Sequence, residues 1–293
     1  MKTQIQVLLF GALLATAARG EVVDKTLDAA ANGQVDISNT AGTIEVEGWS
    51  KNSVRVHGDL GSNVEELIFE RDGDRVTVKV KVPHNSSKSI DSDIHVWVPA
   101  ESSIEVTGVS ADITVEAVHG ALNLHSVSGD VISEAFGADV EIGSVSGDVR
   151  VKGNSKDINT SANTVSGDVI LTDLAGEVKA EAVSGDLTLD GGSFDRAELE
   201  TVNGDLLFKA ELRKSGRLNG ESVNGDVRIK FAGDVSAKFD VESFNGDIDN
   251  CFGPKAQRTS KYAPGLQLRF TQGDGTGSVS ISTLNGDIDI CNR

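Results

Sequence analysis

The hydrophobic positions of this 293-residue chain recur in units of 18–21 residues. In a typical unit, alternating apolar positions precede Ser or Asn, then Gly, Asp and a second alternating run, as in "SVSGDVRV" from Ser144 to Val151. Period-two alternation is typical of β-strands, and one doubled polar position before the Gly-Asp pair indicates a bulge or bend. Each unit is therefore predicted to be two short strands that meet at a corner.

A unit of this length has no room for a helix and cannot bury its apolar face alone, so successive units must stack. Stacked strands would pair in parallel about 4.8 Å apart, and crossovers between parallel strands are nearly always right-handed. The predicted fold class is all-β: a right-handed parallel β-helix (β-solenoid) with 18–21-residue coils and a narrow aliphatic core. A left-handed hexapeptide helix is excluded, because its six-residue apolar period would place Ser133 and Asp139 inside, counting from Val127.

The less regular ends of the chain are predicted to belong to the same sheet system. "VTVKVKV" and "IHVWV" are alternating strands, "RDGDR" is typical of a hairpin turn, and "LQLRFTQGDGTGSVSIS" predicts a hairpin near the C-terminus. The predicted organisation has four parts: a signal peptide (1–20), irregular N-terminal strands with a cap (21–100), regular coils (101–250) and a C-terminal coil with a hairpin insertion (251–293).

The first twenty residues have the pattern of a secretory signal peptide, with a positive charge at Lys2, an apolar run from Ile5 to Ala15 and small residues after it. The run is shorter than the roughly 20 apolar residues of a membrane span. We therefore expect an exported protein of the periplasm or cell surface, without a transmembrane segment. Its formal net charge of −18 at pH 7 disfavours nucleic acid as a partner, because phosphates repel an acidic surface.

The repeated glycine is predicted to form the corner of each coil. Strand parity places Val145, Gly147 and Val149 inward and Ser146 and Asp148 outward. Glycine would be required either for a positive φ or because the corner has no space for a side chain; Ala111, which takes the glycine place one step earlier, favours lack of space. The structural-turn glycines are Gly129, Gly147, Gly167, Gly185, Gly204, Gly225, Gly246 and Gly286.

The repeated aspartates are predicted to form a column along the stack. Carboxylates about 5 Å apart in water repel by only ~0.8 kcal/mol, so an exposed column can exist without a metal. We favour a structural role, in which Ser, Asn and Asp accept hydrogen bonds from turn amides; a cation- or ligand-binding stripe is the alternative. The column consists of Asp112, Asp130, Asp148, Asp168, Asp186, Asp205, Asp226, Asp247 and Asp287.

No catalytic residue and no cofactor are predicted. Polysaccharide enzymes built on β-helices place a few unlike residues in one cleft, whereas the outward residues here are alike in every coil. The motifs of nucleotide-binding loops, serine hydrolases and zinc proteases are absent from the sequence. The five histidines lack metal-ligand spacing, so no metal site is predicted; they are His57, His84, His95, His119 and His125.

The two cysteines, Cys251 and Cys291, each lie six residues after the motif asparagine and so occupy the same point of their coils. The step between them is about twice the usual one. Either a degenerate coil separates them by ~9.6 Å, or one coil carries an insertion and they are ~4.8 Å apart. We favour the insertion and a disulfide, which export permits, over two free buried thiols.

The whole chain resembles the putative-adhesin family of exported bacterial β-solenoids, a domain of unknown function. The residues that carry the resemblance are "SNTAGTIEVEGW", "VWVP" and the tandem units "SVSGDV", "TVNGDL" and "SFNGDIDN". It implies a right-handed β-helix at the cell envelope and no known catalytic residues. We therefore expect a non-enzymatic, adhesin-like protein that binds a protein or a glycan through its ladder surface. The alternatives are a periplasmic structural or envelope-stress scaffold and a polysaccharide-active β-helix enzyme.

Overall fold

A computed structural model describes residues 20–84, 89–260 and 264–292. These residues form 23 β-strands that join in one continuous sheet. None of them forms a helix long and apolar enough to span a membrane. The predicted signal peptide lies outside the described residues except for Gly20.

The central part of the chain forms the predicted repeat units, each with one strand before the Gly-Asp corner and one after it. First strands pair in parallel with first strands, so that Val140 lies opposite Leu122 and Thr160, one repeat away on either side. Second strands pair in the same way, with Val149 opposite Val131 and Val169. The strands of this region are β7 (Ser103–Glu116), β8 (Leu122–Ser126), β9 (Val131–Glu134), β10 (Val140–Ser146), β11 (Val149–Lys152), β12 (Asp157–Ser166), β13 (Val169–Thr172), β14 (Ala175–Ser184), β15 (Leu187–Asn203), β16 (Leu206–Asn224) and β17 (Val227–Phe231).

The core is a narrow column of inward-facing aliphatic side chains, as the alternation predicts. Ile142 before the corner and Val149 after it are both fully buried. In the later units the core contains phenylalanines, and the rings of Phe194, Phe208 and Phe231 follow one another at centroid distances of 6.2 and 5.9 Å. One apolar interior therefore connects the successive units.

At the N-terminal end, the order of strands in space differs from their order along the chain. β2 lies between β7 on one side and β5 and β6 on the other, although β5 and β6 follow it in sequence. β3 pairs antiparallel with β6, β1 with β3, and β4 with β5, so antiparallel strands cover this end. The "RDGDR" turn between β4 and β5 is confirmed. The bounds are β1 (Glu21–Asp28), β2 (Gln34–Trp49), β3 (Ser53–Leu60), β4 (Glu66–Asp72), β5 (Arg75–Lys81) and β6 (Ser92–Pro99).

The C-terminal end shows a similar exchange of order. The last unit of the sequence, β22 with β23, is inserted between the unit of β16 and β17 and the unit of β18 and β19. Thus Asn285 lies opposite both Asn224 and Asn245. The bounds are β18 (Ala237–Asn245), β19 (Ile248–Asn250), β20 (Gln257–Arg258), β21 (Leu266–Gln272), β22 (Gly277–Asn285) and β23 (Ile288–Asn292).

The predicted hairpin of "LQLRFTQGDGTGSVSIS" is wrong. β21 pairs antiparallel with the outer edge of β18, whereas β22 pairs in parallel with its inner edge. The turn between β21 and β22 therefore carries the chain across the end of β18 and does not fold it back on itself. The stacked rings of Phe239 and Phe270, with centroids 4.4 Å apart, pack against Phe252 and close the core at this end.

Cys251 and Cys291 form a disulfide with a Cα–Cα distance of 4.9 Å. The distance is that of neighbouring strands, as the favoured insertion predicts. Because β22 and β23 are inserted, the bond joins the outermost unit of the stack to the unit inside it. The last unit of the sequence is therefore not the last unit of the stack.

Candidate functional site

The corner glycines are required because neighbouring backbones approach too closely for a side chain. A Cβ atom on Gly147 would lie 2.2 Å from the carbonyl oxygen of Gly129, and one on Gly204 would lie 2.0 Å from that of Gly185. Gly167, Gly185 and Gly286 have φ values of 156–158°, but Gly147 and Gly204 do not have a positive φ, so a positive φ is not shared by all the corners. The close backbone approach is shared, as at Gly185, where a Cβ would lie 1.9 Å from the carbonyl oxygen of Gly167. Of the two explanations for the repeated glycine, lack of space is the one that this geometry supports.

The aspartate column is a hydrogen-bond ladder along the outside of the corner. Asp148 donates its backbone N–H to Oδ1 of Asp130 at 2.9 Å, and Asp148 Oδ1 in turn accepts the N–H of Asp168 at 2.8 Å. The same bond joins every consecutive pair from Asp112 to Asp226 and then to Asp287 and Asp247. The ladder links each unit to the next through one carboxylate oxygen and leaves Oδ2 outside it.

Two arginines neutralise part of the aspartate column. Arg150 lies 2.7 Å from Oδ2 of Asp148, and Arg228 lies 3.0 Å from Oδ2 of Asp226. Among the described residues, no group of three or more His, Cys, Asp or Glu side chains is placed to hold a metal ion. The geometry accounts for the column by hydrogen bonding, and the cation-binding stripe stays a prediction.

Substitution of Asp168 separates these two roles. Asp168→Ala should lower the free energy of unfolding by about 1–2 kcal/mol, because the N–H of Asp186 loses its acceptor. Asp168→Asn keeps an acceptor oxygen and removes charge repulsion, so we expect a change below about 0.5 kcal/mol. The measurement is urea denaturation with and without millimolar calcium. A calcium-dependent rise in stability that Asp168→Asn abolishes would contradict the purely structural role.

Inside the corner, small hydroxyl side chains complete the hydrogen bonding. Buried Ser144 donates its hydroxyl to the carbonyl of Gly129 at 2.9 Å, and Thr164 donates to that of Gly147 at 3.0 Å. In most units a polar residue therefore faces inward just before the corner, whereas Gly108 and Ala182 take this place in two of them.

The prediction that Val145 lies inside is wrong: its side chain is 45% exposed, while Ser144 is 4% exposed. Alternation continues through Ser144, whose hydroxyl finds an acceptor in the core, and the two residues after it both point outward as the chain bends. The apolar residue at the position of Val145 is exposed in every unit, giving a line of exposed apolar side chains that we call the apolar column. In spatial order it contains Val109, Val127, Val145, Val165, Val183, Val202, Val223, Leu284 and Phe244, exposed by 38–47%.

A row of glutamates runs beside the apolar column. Glu181, Glu200 and Glu221 lie opposite one another on adjacent strands, two residues before the valine of each unit. Together with the column from Val165 to Leu284 they line a groove of about 700 Å³. Burial, and then the neighbouring carboxylates of Glu221 and Glu181, raise the pKa of Glu200. The groove is thus apolar along one side and acidic along the other.

A second groove, of about 590 Å³, crosses the first strands nearer their start. Its lining has charges of both signs, including Arg196, which lies 3.6 Å from Glu198, and Lys179, which lies 2.6 Å from Glu181. Both basic groups are paired within the protein, and the lining also contains Glu105, Asp139, Glu141 and Glu177, so carboxylates outnumber basic groups in this groove as well.

Both tryptophans of the chain lie together on the outer surface of the N-terminal end. Trp49 and Trp97 stack with ring centroids 6.3 Å apart, and His95 stacks on Trp97 at 3.7 Å. Arg55 lies 5.0 Å from the centroid of Trp97, and Trp97 Nε1 donates to Glu47 at 2.8 Å. No sequence motif predicts this cluster, because only the pairing of β2 with β6 brings the two tryptophans together.

The family model for Toastrack DUF4097 matches residues 21–291, nearly the whole of the stack described above. The chain belongs to the Toastrack DUF4097 family. This confirms the resemblance inferred from the S/N-G-D units, and the family is a domain of unknown function. None of the curated proteins compared with this Toastrack chain matches it.

Solved structures similar to this Toastrack chain include two from Parabacteroides distasonis and one from Bacteroides fragilis. A putative adhesin from Parabacteroides distasonis is 14% identical, with 92% of this chain and 98% of that chain covered and a TM-score of 0.47. A putative adhesin from Bacteroides fragilis is 13% identical, with coverage of 93% and 97% and a TM-score of 0.38. A putative lipid binding protein from Parabacteroides distasonis is 14% identical, with coverage of 93% and 98% and a TM-score of 0.38.

Proposed function

We propose that this Toastrack chain is a non-enzymatic, exported binding scaffold of the cell envelope that holds a protein partner against its apolar column. In this proposal residues 21–293 form one domain, a right-handed parallel β-helix with 18–21-residue coils, and residues 1–20 are removed on export. The binding is adhesin-like in the sense that a long, repetitive lateral surface makes the contact.

The observation that carries the proposal is the exposure of the apolar column. The side chains of Val183, Val202 and Val223 are 44%, 40% and 38% exposed in consecutive units. The adjacent corner positions are polar, so the fold does not require aliphatic residues on the outside of this bend. Contiguous exposed apolar surface of this kind is typical of interaction sites.

The aspartate ladder supports binding rather than catalysis. Its members are alike from unit to unit, and their Oδ1 atoms are occupied by backbone amides of the next unit. Active sites of β-helix enzymes need unlike acid and base groups in one cleft, as general acid–base chemistry requires two different protonation states. The repetition along this corner provides an extended contact surface instead.

Removal of the column's apolar character tests the proposal. The variant Val183→Thr/Val202→Thr/Val223→Thr should reduce retention of the purified exported protein on washed envelopes of its own cells by about tenfold, since each lost contact contributes roughly 0.5 kcal/mol. The matched control is Val22→Thr/Ile132→Thr, which changes two exposed aliphatic residues outside the column. Equal retention of all three proteins would overturn the proposal.

The location is tested on intact cells by protease treatment followed by immunoblotting. Loss of the signal places the domain outside the cell and supports the adhesin-like role. Full protection, with release of the protein by osmotic shock, would instead favour the alternative of a periplasmic scaffold.

A further inference from the structure

The groove between the apolar column and the glutamate row has the form of a docking site for one kind of segment. We propose that it binds an amphipathic α-helix whose apolar face is bordered by Lys and Arg, with the helix axis parallel to the direction in which the units stack. This inference rests on the proposed function and names the chemistry of the partner.

The spacing of the column fits a helix better than an extended chain. Successive units are about 4.8 Å apart, and successive turns of a helix are 5.4 Å apart. The two repeats differ by about 0.6 Å per unit, so they stay within half a unit of each other over about four units. An extended peptide repeats its side chains on one face every 6.6–6.8 Å or so, and loses register within about two units.

The groove is about as long as the distance over which helical turns stay in register with the units. Its apolar side runs from Val165 through Val183, Val202 and Val223 to Leu284, which is four steps between units. At about 4.8 Å per step this is about 19 Å, or three to four helical turns. A helix of roughly 14–18 residues would cover it and present an apolar side chain to each unit.

The charges that border the groove are acidic. Glu181, Glu200 and Glu221 form the acidic border of the groove. Two basic groups are already present: Lys179 lies 2.6 Å from Glu181, and Arg228 lies 3.0 Å from Asp226 and 3.3 Å from Asp205. Glu200 and Glu221 have no basic partner among the ion pairs of the described residues.

Charge complementarity therefore favours a partner helix whose apolar face is bordered by cationic side chains. An apolar helix face flanked by Lys or Arg would place cations beside Glu200 and Glu221 and would relieve repulsion within the glutamate row. A second copy of this chain has the matching 4.8 Å spacing, but it would place carboxylates against carboxylates in a protein with a net charge of −18. The observations favour the cationic helix.

The probe is a synthetic 18-residue peptide with Leu at helical 3/4 spacing and Lys on both borders of the leucine face. Its control has the same composition in an order that is not amphipathic. Both are titrated by fluorescence anisotropy into the full-length exported protein at low and high salt, and circular dichroism reports helix formation. We expect the amphipathic peptide to bind at least about tenfold more tightly than its control and to gain helix on binding.

Two variants assign the binding to the groove. Val183→Thr/Val202→Thr/Val223→Thr should weaken it about tenfold, and Glu200→Gln/Glu221→Gln should weaken it severalfold and reduce its dependence on salt. Val22→Thr/Ile132→Thr is the control and should bind as the native protein does; the melting temperature of each variant is checked. Equal binding of both peptides, or unchanged binding by the valine variant, would overturn the inference.

Two further outcomes separate this inference from the proposed function. If envelope retention depends on the valines but the peptide does not bind, the helical partner is wrong and the binding scaffold stands. If sedimentation shows a dimer that the valine variant converts to a monomer, the occupant of the groove is a second copy, and the inference is overturned.

Discussion

Gly204→Ala is expected to lower the free energy of unfolding by about 3 kcal/mol or more, at the upper end of the cost of overpacking a core. The added Cβ would lie 2.0 Å from the carbonyl oxygen of Gly185 and 2.5 Å from its carbon. Both clashing atoms belong to backbone, so no side-chain rotation relieves the contact.

The hydrogen bonds around this corner prevent the backbone from moving away. Gly204 donates its N–H to Asn224 at 3.0 Å, and Gly185 donates to Asn203 at 3.0 Å. Asp205, the next residue, donates to Asp186 in the aspartate ladder at 2.8 Å. A shift large enough to admit a methyl group would lengthen several of these bonds at once, and each contributes about 1 kcal/mol.

Gly220→Ala is the matched control, because it is also a glycine-to-alanine substitution and lies in β16, the strand that follows Gly204. A Cβ at Gly220 would meet only side-chain methyl groups, Ile281 Cδ1 at 2.9 Å and Leu206 Cδ1 at 3.6 Å, which can rotate away. We expect a change within about 1 kcal/mol. Thermal unfolding followed by circular dichroism compares the two, and a fall of at least roughly 6 °C is expected for Gly204→Ala alone. Similar melting temperatures would show that the corner has room after all.

The repeat made the strands, the corner and the stacking predictable, because each is encoded within one unit. Alternation before and after Gly-Asp fixes two strands, and a unit of this size has one way to bury its apolar side. Lack of space at the corner could also be inferred from the sequence. Ala111 takes the position of the corner glycine in its unit, and a left-handed conformation would be costly for alanine.

The apolar column was not predicted, because the sequence does not show where alternation stops. Parity places Val145 in the core and makes Ser144 part of the doubled polar position before it. The structure reverses both, because the Ser144 hydroxyl donates to Gly129 inside the corner. A signal was present: Ser or Thr precedes this valine in most units, as in Ser126, Thr164 and Ser222. The recurrence of a small hydroxyl residue before the valine indicates a buried hydrogen bond.

The exchanged order at both ends could not be predicted from the repeat. Successive corners are nearly identical in sequence, so β22 has the chemistry to pair beside β16 or beyond β18. The choice depends on contacts between distant segments, such as the pairing of β21 with the outer edge of β18. As a result of this order, the disulfide joins the inserted unit of β22 and β23 to the outermost unit of β18 and β19.

Loss of the disulfide, like Gly204→Ala, is expected to destabilise the protein strongly. Cys251→Ser/Cys291→Ser should lower the free energy of unfolding of the C-terminal units by about 4 kcal/mol under non-reducing conditions, the value expected for closing a loop of 40 residues in the unfolded chain. The outermost unit depends strongly on this bond, because β18 and β19 pair with the stack only through the inserted β22 and β23 among the described strands. When β23 detaches, the pairing of β19 is lost with it.

Reductant and hydrogen exchange test this account together. Native and variant proteins should melt alike when dithiothreitol is present, since the native disulfide is then open. Without reductant, the variant should exchange its amide hydrogens faster in β18, β19, β22 and β23, while β10 to β14 exchange at the native rate, because each unit contacts only its neighbours. A variant that remains less stable than the native protein in reductant would show that the serines themselves disturb the packing. Faster exchange throughout the stack would show that the units unfold together and that the disulfide stabilises the whole domain.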